Sequence, residues 1–165
     1  MRRSKPSWLT IWPVMKHLCD SNVFLALSLR NHPHHARAVE WMESLAGPDR
    51  ACFCRATQQS WLRLLTTAAT LQGEVRSNDE AIEAWHILTG DPRVLLVVAE
   101  PPGLDRQWLA LAGHRSPAPK RWMDAYLAAF ALCGRMRLVT FDRGFTGFLD
   151  AGLDLLLLRS DRPQP

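Results

Sequence analysis

The chain has 165 residues, a formal net charge of +4 and a hydrophobic fraction of 47%. A length of this order buries a core without disulfide or metal staples, and the composition excludes an intrinsically disordered chain. No uninterrupted apolar stretch approaches the roughly 18 residues needed to span a bilayer, so no membrane segment is expected. The positive balance is compatible with an anionic partner without specifying one.

Residues 1–14 (MRRSKPSWLTIWPV) combine a basic cluster with two prolines around an apolar segment too short and too broken for a signal peptide. They are expected to be a poorly ordered or mis-started extension. One domain then spans 15–160, from Met15, and residues 161–165 form a flexible tail. His17–Cys19 reads as a short buried strand, and Val23–Arg30 as the start of a helix. His34–Leu45 is helical, with Ala38, Trp41, Met42 and Leu45 on one face and Gly47-Pro48 at its end. Ala51–Cys54 is a second strand. Thr57 caps a helix running to about Leu71, with Trp61, Leu62, Leu65 and Ala69 at helical spacing; Asn78 or Asp79 caps another through Leu88. Val94–Val98 predicts a third strand, broken off by Pro101-Pro102-Gly103, and Asp105–Ala112 a short helix. Pro117–Pro119 leads into the helix Arg121–Cys133, followed by strands at Arg137–Phe141 and Leu155–Leu158. Trp41, Trp61, Trp85 and Trp122 all fall in helical patterns, where an indole normally packs on the core.

Strands nearly continuous in apolar residues and separated by helices specify an α/β fold, a parallel sheet covered on both faces. Ligands of such folds bind outside the carboxyl ends of the strands, where the strand order switches direction. Asp20 follows the first strand and Asp142 the fourth. Each has an ordinary alternative: Asp20, Ser21 or Asn22 as a helix cap, and Asp142 as the cap of the short segment after it. Asp124 lies in "WMDAYLAAFALC", the only charge on an otherwise apolar helix. Buried without a partner it would cost several kcal/mol or become neutral. A cation or an opening onto a cleft removes that penalty, as would an ion pair with Lys120 or Arg121. Three carboxylates at two strand ends and an adjoining helix make an oxygen-rich pocket suited to a hard ion, Mg²⁺ or Mn²⁺. Such an ion clamps a phosphodiester and activates water for in-line attack.

"LCDSNVFLALSLRNHPHHARAVEWM", "CRATQQSWLRLLT", "WMDAYLAAFA" and "RLVTFDRGF" together resemble the PIN-domain ribonucleases, specifically the VapC toxins of bacterial toxin–antitoxin pairs. The resemblance runs from about Lys16 to Leu158, with the motifs in the family's order and spacing. It implies a three-layer α/β/α sandwich around a central parallel sheet of four to five strands. It also implies Mg²⁺- or Mn²⁺-dependent endonucleolytic cleavage of RNA in the cytoplasm, and a cognate antitoxin as partner. Carried over by position, Asp20, Asp124 and Asp142 match the acidic metal-binding residues. Asn22 matches the asparagine two places after the first of them, and Thr140 the hydroxyl residue two places before the last. Gln58 departs from the pattern, which has glutamate after the threonine. An amide hydrogen-bonds water but cannot act as its base or add negative charge.

Arg55, Arg63, Arg121 and Arg143, with Lys120 beside them, are candidate phosphate contacts; each is equally well read as part of a solvated basic face. His32, His34 and His35 in "NHPHH" read as a solvated turn rather than a metal site. Cys19, Cys52, Cys54 and Cys133 are dispersed and read as buried thiols of a reducing cytoplasm. The apolar faces of the second helix and of Trp61–Ala69 offer either ordinary core or a surface for a homodimer or antitoxin. Two other functions compete with the nuclease. One keeps the fold but loses catalysis at Gln58, leaving an RNA- or antitoxin-binding protein. The other is a receiver-type phosphoacceptor domain, which expects paired acids after the first strand, an aspartate closing a central strand and a lysine after the last. The chain instead has Asp20-Ser21, no aspartate closing Val94–Val98, and Arg159.

Overall fold

A computed structural model describes residues 14–67 and 75–159. The expected N-terminal extension (all but Val14), the C-terminal tail and the expected helix end near Leu71 lie outside the described residues. The strands are β1 (Lys16–Cys19), β2 (Arg50–Cys54), β3 (Val94–Val97), β4 (Arg137–Thr140) and β5 (Leu155–Leu157). The helices are α1 (Ser21–Ser28), α2 (His35–Glu43), α3 (Arg55–Leu65), α4 (Asn78–Thr89), α5 (Leu104–Ala112) and α6 (Arg121–Gly134). A 3-10 helix, Arg143–Ala151, joins β4 to β5.

The five strands form one parallel sheet in the order β3-β2-β1-β4-β5. Side chains alternate across it, as the strand period of two requires. Leu18 and Leu138, paired in register, face α5, α6 and the 3-10 helix; Cys19 and Val139, the next pair, face α1 to α4. The result is the expected α/β/α sandwich, with a core on each side of the sheet. The α1–α4 core is aromatic: Phe24 stacks on Phe53 with ring centroids 3.5 Å apart, and Trp61 and Trp85 meet the Phe53 ring edge-on. The other core is built on alanine. Ala125, Ala128, Ala129 and Ala131 of α6 are buried, and such small side chains let a helix lie close to the sheet and to α5. Trp41, Met42, Trp61 and Leu65 are core residues, so these parts of the α2 and α3 faces are not available to a partner.

The chain crosses from one half of the sheet to the other between β3 and β4. Strands β1, β2 and β3 run outward in order; β4 then returns to the free edge of β1. The switch point therefore lies between the carboxyl ends of β1 and β4. This order also differs from the 2-1-3-4-5 order of receiver-type folds, which removes the phosphoacceptor reading.

Several helix starts differ from expectation. α1 begins at Ser21 rather than Val23, so Ser21 and Asn22 lie inside it, and Asp20 at its N-cap makes no capping hydrogen bond through its side chain. α3 begins at Arg55, so Thr57 is its third residue and completes a capping box with the Cys54 backbone: the Thr57 hydroxyl accepts from Cys54 N at 3.0 Å. α4 is capped by Ser77, whose hydroxyl accepts from Glu80 N while the Glu80 carboxylate accepts from Ser77 N. Before α5, Gly103 takes φ 82°, a left-handed conformation suited to glycine. Trp122 and Met123, at the start of α6, are 53% and 49% exposed, so this helix is not apolar-buried all round. No helix among the described residues is long and apolar enough to cross a membrane.

Phe53 is fully buried and touches three other rings, so Phe53→Ala should destabilise the fold by about 3–5 kcal/mol in urea unfolding. A loss near zero would contradict this packing.

Candidate active site

Asp20 is the first residue beyond β1, and its backbone N–H donates to the Val139 carbonyl at 2.9 Å, carrying the β1–β4 ladder one step further. That step places its side chain over the end of β4. The buried Thr140 hydroxyl donates to Asp20 Oδ2 at 2.9 Å. The same oxygen accepts from Asn22 Nδ2 at 2.8 Å, and Ser21 Oγ donates to Oδ1 at 3.3 Å. Asn22 Nδ2 also reaches Thr140 Oγ1 at 3.2 Å, while Asn22 Oδ1 accepts from Phe141 N at 3.3 Å. Thr140 Oγ1 accepts in turn from Asp142 N at 2.9 Å. Asp20, Asn22, Thr140 and the Asp142 backbone, separated by some 120 residues of chain, thus form one network. The capping alternative for Asp20 is not realised; its oxygens are held by side chains across the strand boundary.

Asp142 does cap the 3-10 helix after it. Its Oδ1 accepts from Gly144 N at 2.7 Å, and its Oδ2 pairs with the Lys120 ammonium. Gly144 permits this approach, since a Cβ there would stand 3.1 Å from Asp142 Oδ1. Asp124 lies in the first turn of α6 and forms no salt bridge among the described residues, so the expected alternative of an ion pair to Lys120 or Arg121 does not occur. Lys120 goes to Asp142 instead. Arg121 Nε donates to the Leu111 carbonyl at 3.0 Å, and its guanidinium sits 4.9 Å from the Phe148 ring centroid. Asp124, Lys120, Arg121, Gly144 and Phe148 line an open cleft of about 340 Å³.

The electrostatics arise from this arrangement. Burial first, and the nearby Asp142 charge, hold Asp20 above the usual carboxylate range against the Thr140 and Ser21 hydrogen bonds. Asp124 is also raised, by burial and by the charges of Asp142 and Asp20, with Lys120 opposing. Asp142 is lowered, chiefly by its hydrogen bond to Lys120. The Lys120 ammonium is stabilised by Asp142 first, and more weakly by Asp124 and Asp20. Asp124 therefore feels both other carboxylates, Asp20 feels Asp142, and one lysine feels all three.

Gln58 is 8% exposed in the first turn of α3, with its carbonyl oxygen accepting from Arg55. No hydrogen bond joins it to the aspartates, although α3 touches the start of α1 where Ser60 Oγ meets Ser21 Oγ at 3.3 Å. Arg63 and Arg143 are exposed, the latter beside Asp142. The histidine loop is more than a solvated turn: the His34 ring stacks on Phe141 at 4.5 Å, and His35 Nδ1 bonds the Ala26 carbonyl at 2.7 Å. Sequence reasoning missed the Lys120–Asp142 pair, whereas the bond to the Gly144 amide is the capping alternative it offered for Asp142.

Among the described residues no three His, Cys, Asp or Glu side chains gather closely enough to hold a metal ion as they stand. The donor set nevertheless suits a hard divalent cation, being carboxylate oxygens alone, and the Lys120 ammonium is a cation already held against it. Asp142 faces its present donors, Lys120 and Gly144.

An acid raised in the folded state stabilises the fold below the ordinary carboxylate range and opposes folding as pH rises through its raised value. Asp124 is such an acid. With chelator present, Asp124→Asn should therefore raise the Tm at pH 7 by on the order of 2 °C. That gain should shrink as pH falls below about 4, where both states are protonated. Thermal unfolding followed by circular dichroism checks this; a lower Tm for the variant at pH 7 would contradict the unpaired, repelled state of Asp124.

Comparison with known proteins places this chain in a family. The PIN domain model matches residues 18–148. Ribonuclease VapC41 of Mycobacterium tuberculosis is 49% identical over 144 residues, covering 86% of this chain and 97% of the relative. Ribonuclease VapC29 of the same organism is 30% identical over 133 residues, 79% of this chain and 88% of the relative. Among solved structures, VapBC2 of Rickettsia felis bound to a promoter DNA fragment aligns with a TM-score of 0.65 at 11% identity, covering 88% of this chain and all (100%) of that one. The VapBC-1 structure from nontypeable Haemophilus influenzae aligns at 0.62 and 18%, covering 87% and 98%. The sarcin-ricin-loop-cleaving toxin VapC20 of M. tuberculosis aligns at 0.56 and 17%, covering 89% and 99%. The structural matches carry the fold, and the sequence matches carry the kinship: the chain belongs to the PIN-domain family, among the VapC ribonucleases.

Proposed function

We propose that the protein is an endoribonuclease dependent on Mg²⁺ or Mn²⁺, acting as the toxin of a toxin–antitoxin module. The observation that carries this reading is the strand-order switch, where Asp20 and Asp142 follow adjacent strands and Asp124, which forms no salt bridge among the described residues, feels the charge of both. In this reading Asp20 and Asp124 hold the ion and Asp142 completes the acidic site. A bound ion would supply charge neutralisation at the scissile phosphate and activation of water. The chain's own residues do the positioning. Thr140 and Asn22 fix the rotamer of Asp20 through two hydrogen bonds and are joined to each other by a third, so its carboxylate does not have to be ordered during turnover. Arg63 and Arg143 are exposed and make no side-chain hydrogen bond or ion pair among the described residues, whereas Arg121 and Arg55 reach the RNA backbone only by leaving the contacts they make. RNA is the substrate and a cognate antitoxin the neutralising partner; a homodimer is the assembly in which we place the chain.

Asp20→Asn and Asp124→Asn are each expected to lower RNA cleavage by on the order of 100-fold or more and to relieve growth inhibition on expression. EDTA should stop the wild-type reaction. Full activity in either variant, read by sequencing RNA ends after induction, would sink the assignment.

A second reading, a catalytically weakened protein that binds RNA or antitoxin, is favoured by Gln58: it is neutral, and its oxygen is committed to Arg55. Gln58→Glu separates the two. A gain of about tenfold or more in cleavage identifies a missing base or ligand; an unchanged rate means position 58 does not limit this enzyme.

A further inference from the structure

Lys120 stands immediately before α6, and its side chain is 71% exposed. No packing holds it against the crevice; its ion pair with Asp142 does. Neighbouring cations are differently employed. Arg121 is committed to the Leu111 carbonyl and the Phe148 ring, and Arg143, next to Asp142 in sequence, forms no ion pair among the described residues. The lysine also reaches its partner from the wall of the cleft that Asp124 lines, so it stands between the two carboxylates' elements, α6 and the end of β4. A divalent ion bound to Asp142 Oδ2 would need the oxygen that the ammonium uses. The two cations repel, and both cannot be served by one carboxylate oxygen without loss.

We infer that Lys120 is a built-in counter-ion of the acidic site: its ammonium and the divalent ion compete for Asp142, so that Lys120 sets how tightly metal is held. The inference rests on the metal-dependent reading proposed above and deepens it. The residue type suits the task. A lysine is a hydrated point charge on a flexible stem, able to swing into solvent, and an exposed pair is weak enough to yield. The same pair offsets the mutual repulsion of Asp20, Asp124 and Asp142 and so holds the crevice together in chelator. Metal affinity is thereby lowered in exchange for a site that tolerates three clustered acids.

Calorimetric titration of Mn²⁺ alone into the full chain tests this, with wild type, Lys120→Met, Lys120→Arg, Arg143→Met and Asp20→Asn. Lys120→Met should tighten the Mn²⁺ Kd by about fivefold or more, the scale of one exposed ion pair, and Lys120→Arg should stay within about twofold of wild type. Arg143→Met, which removes an equal charge one residue from Asp142, should have a smaller effect. In chelator, Lys120→Met should also melt below wild type, and Mn²⁺ should raise its Tm by more. An unchanged or weaker Kd in Lys120→Met overturns the inference, as does equal tightening in Arg143→Met, which would mean a general field and not this pair. Failure of wild type to bind Mn²⁺, or undiminished binding in Asp20→Asn, defeats the metallonuclease reading itself and this inference with it.

Discussion

One hydroxyl holds the site together. Thr140 Oγ1 donates its single proton to Asp20 and accepts from the Asp142 amide and from Asn22, so it uses its whole hydrogen-bonding capacity. It can do this because β4 lies beside β1, with Cys19 paired to Val139, which brings the first residue after one strand against the last of the other. The sheet order thus converts two distant segments into one rigid edge. A valine at 140 would keep the strand and lose the link. The proposed chemistry depends on that junction, because Asp20 and Asp142 lie on opposite sides of it.

The second constraint is charge. Three carboxylates near one crevice repel, and burial makes Asp20 and Asp124 harder to ionise still. A fold selected for stability alone would not keep them. Lys120 and the Gly144 amide relieve Asp142, hydroxyl and amide donors relieve Asp20, and Asp124 is left with the least compensation. That uneven relief is what a cation-binding site requires: strain at the centre, held by a well-packed shell. The shell consists of the aromatic core under α1 to α4 and the alanine-faced α6 on the other side of the sheet.

Much of this was legible in the sequence, for identifiable reasons. Buried parallel strands read as apolar runs, so all five appeared within a residue or two; Val98 dropped out because it lies past the ladder, 62% exposed. Asp20 and Asp142 stood out because a polar residue closing such a run marks a strand's carboxyl end, and the family resemblance supplied Thr140 and Asn22. Local rules misjudged the helix starts. Asp20-Ser21-Asn22 looked like capping chemistry, yet Asp20 and Asn22 bond across to β4, a tertiary demand that propensity does not encode. Asn78 and Asp79 read as the cap of α4, yet Ser77 is the cap, with its partner Glu80 three residues later. The helical context of Trp122 points to the core, yet its ring is exposed at the start of α6. The Lys120–Asp142 pair, 22 residues apart, and the stacking of His34 on Phe141 arise only when the chain folds back on itself.

If the carboxylates at the β1–β4 switch point form a divalent-metal site on which RNA cleavage depends, anomalous scattering from crystals of the protein grown with Mn²⁺ tests it most directly. A manganese peak is expected among the carboxylates of Asp20, Asp124 and Asp142, and none there in Asp20→Asn. A peak elsewhere that accompanies full cleavage activity, with none in this crevice, would contradict the assignment.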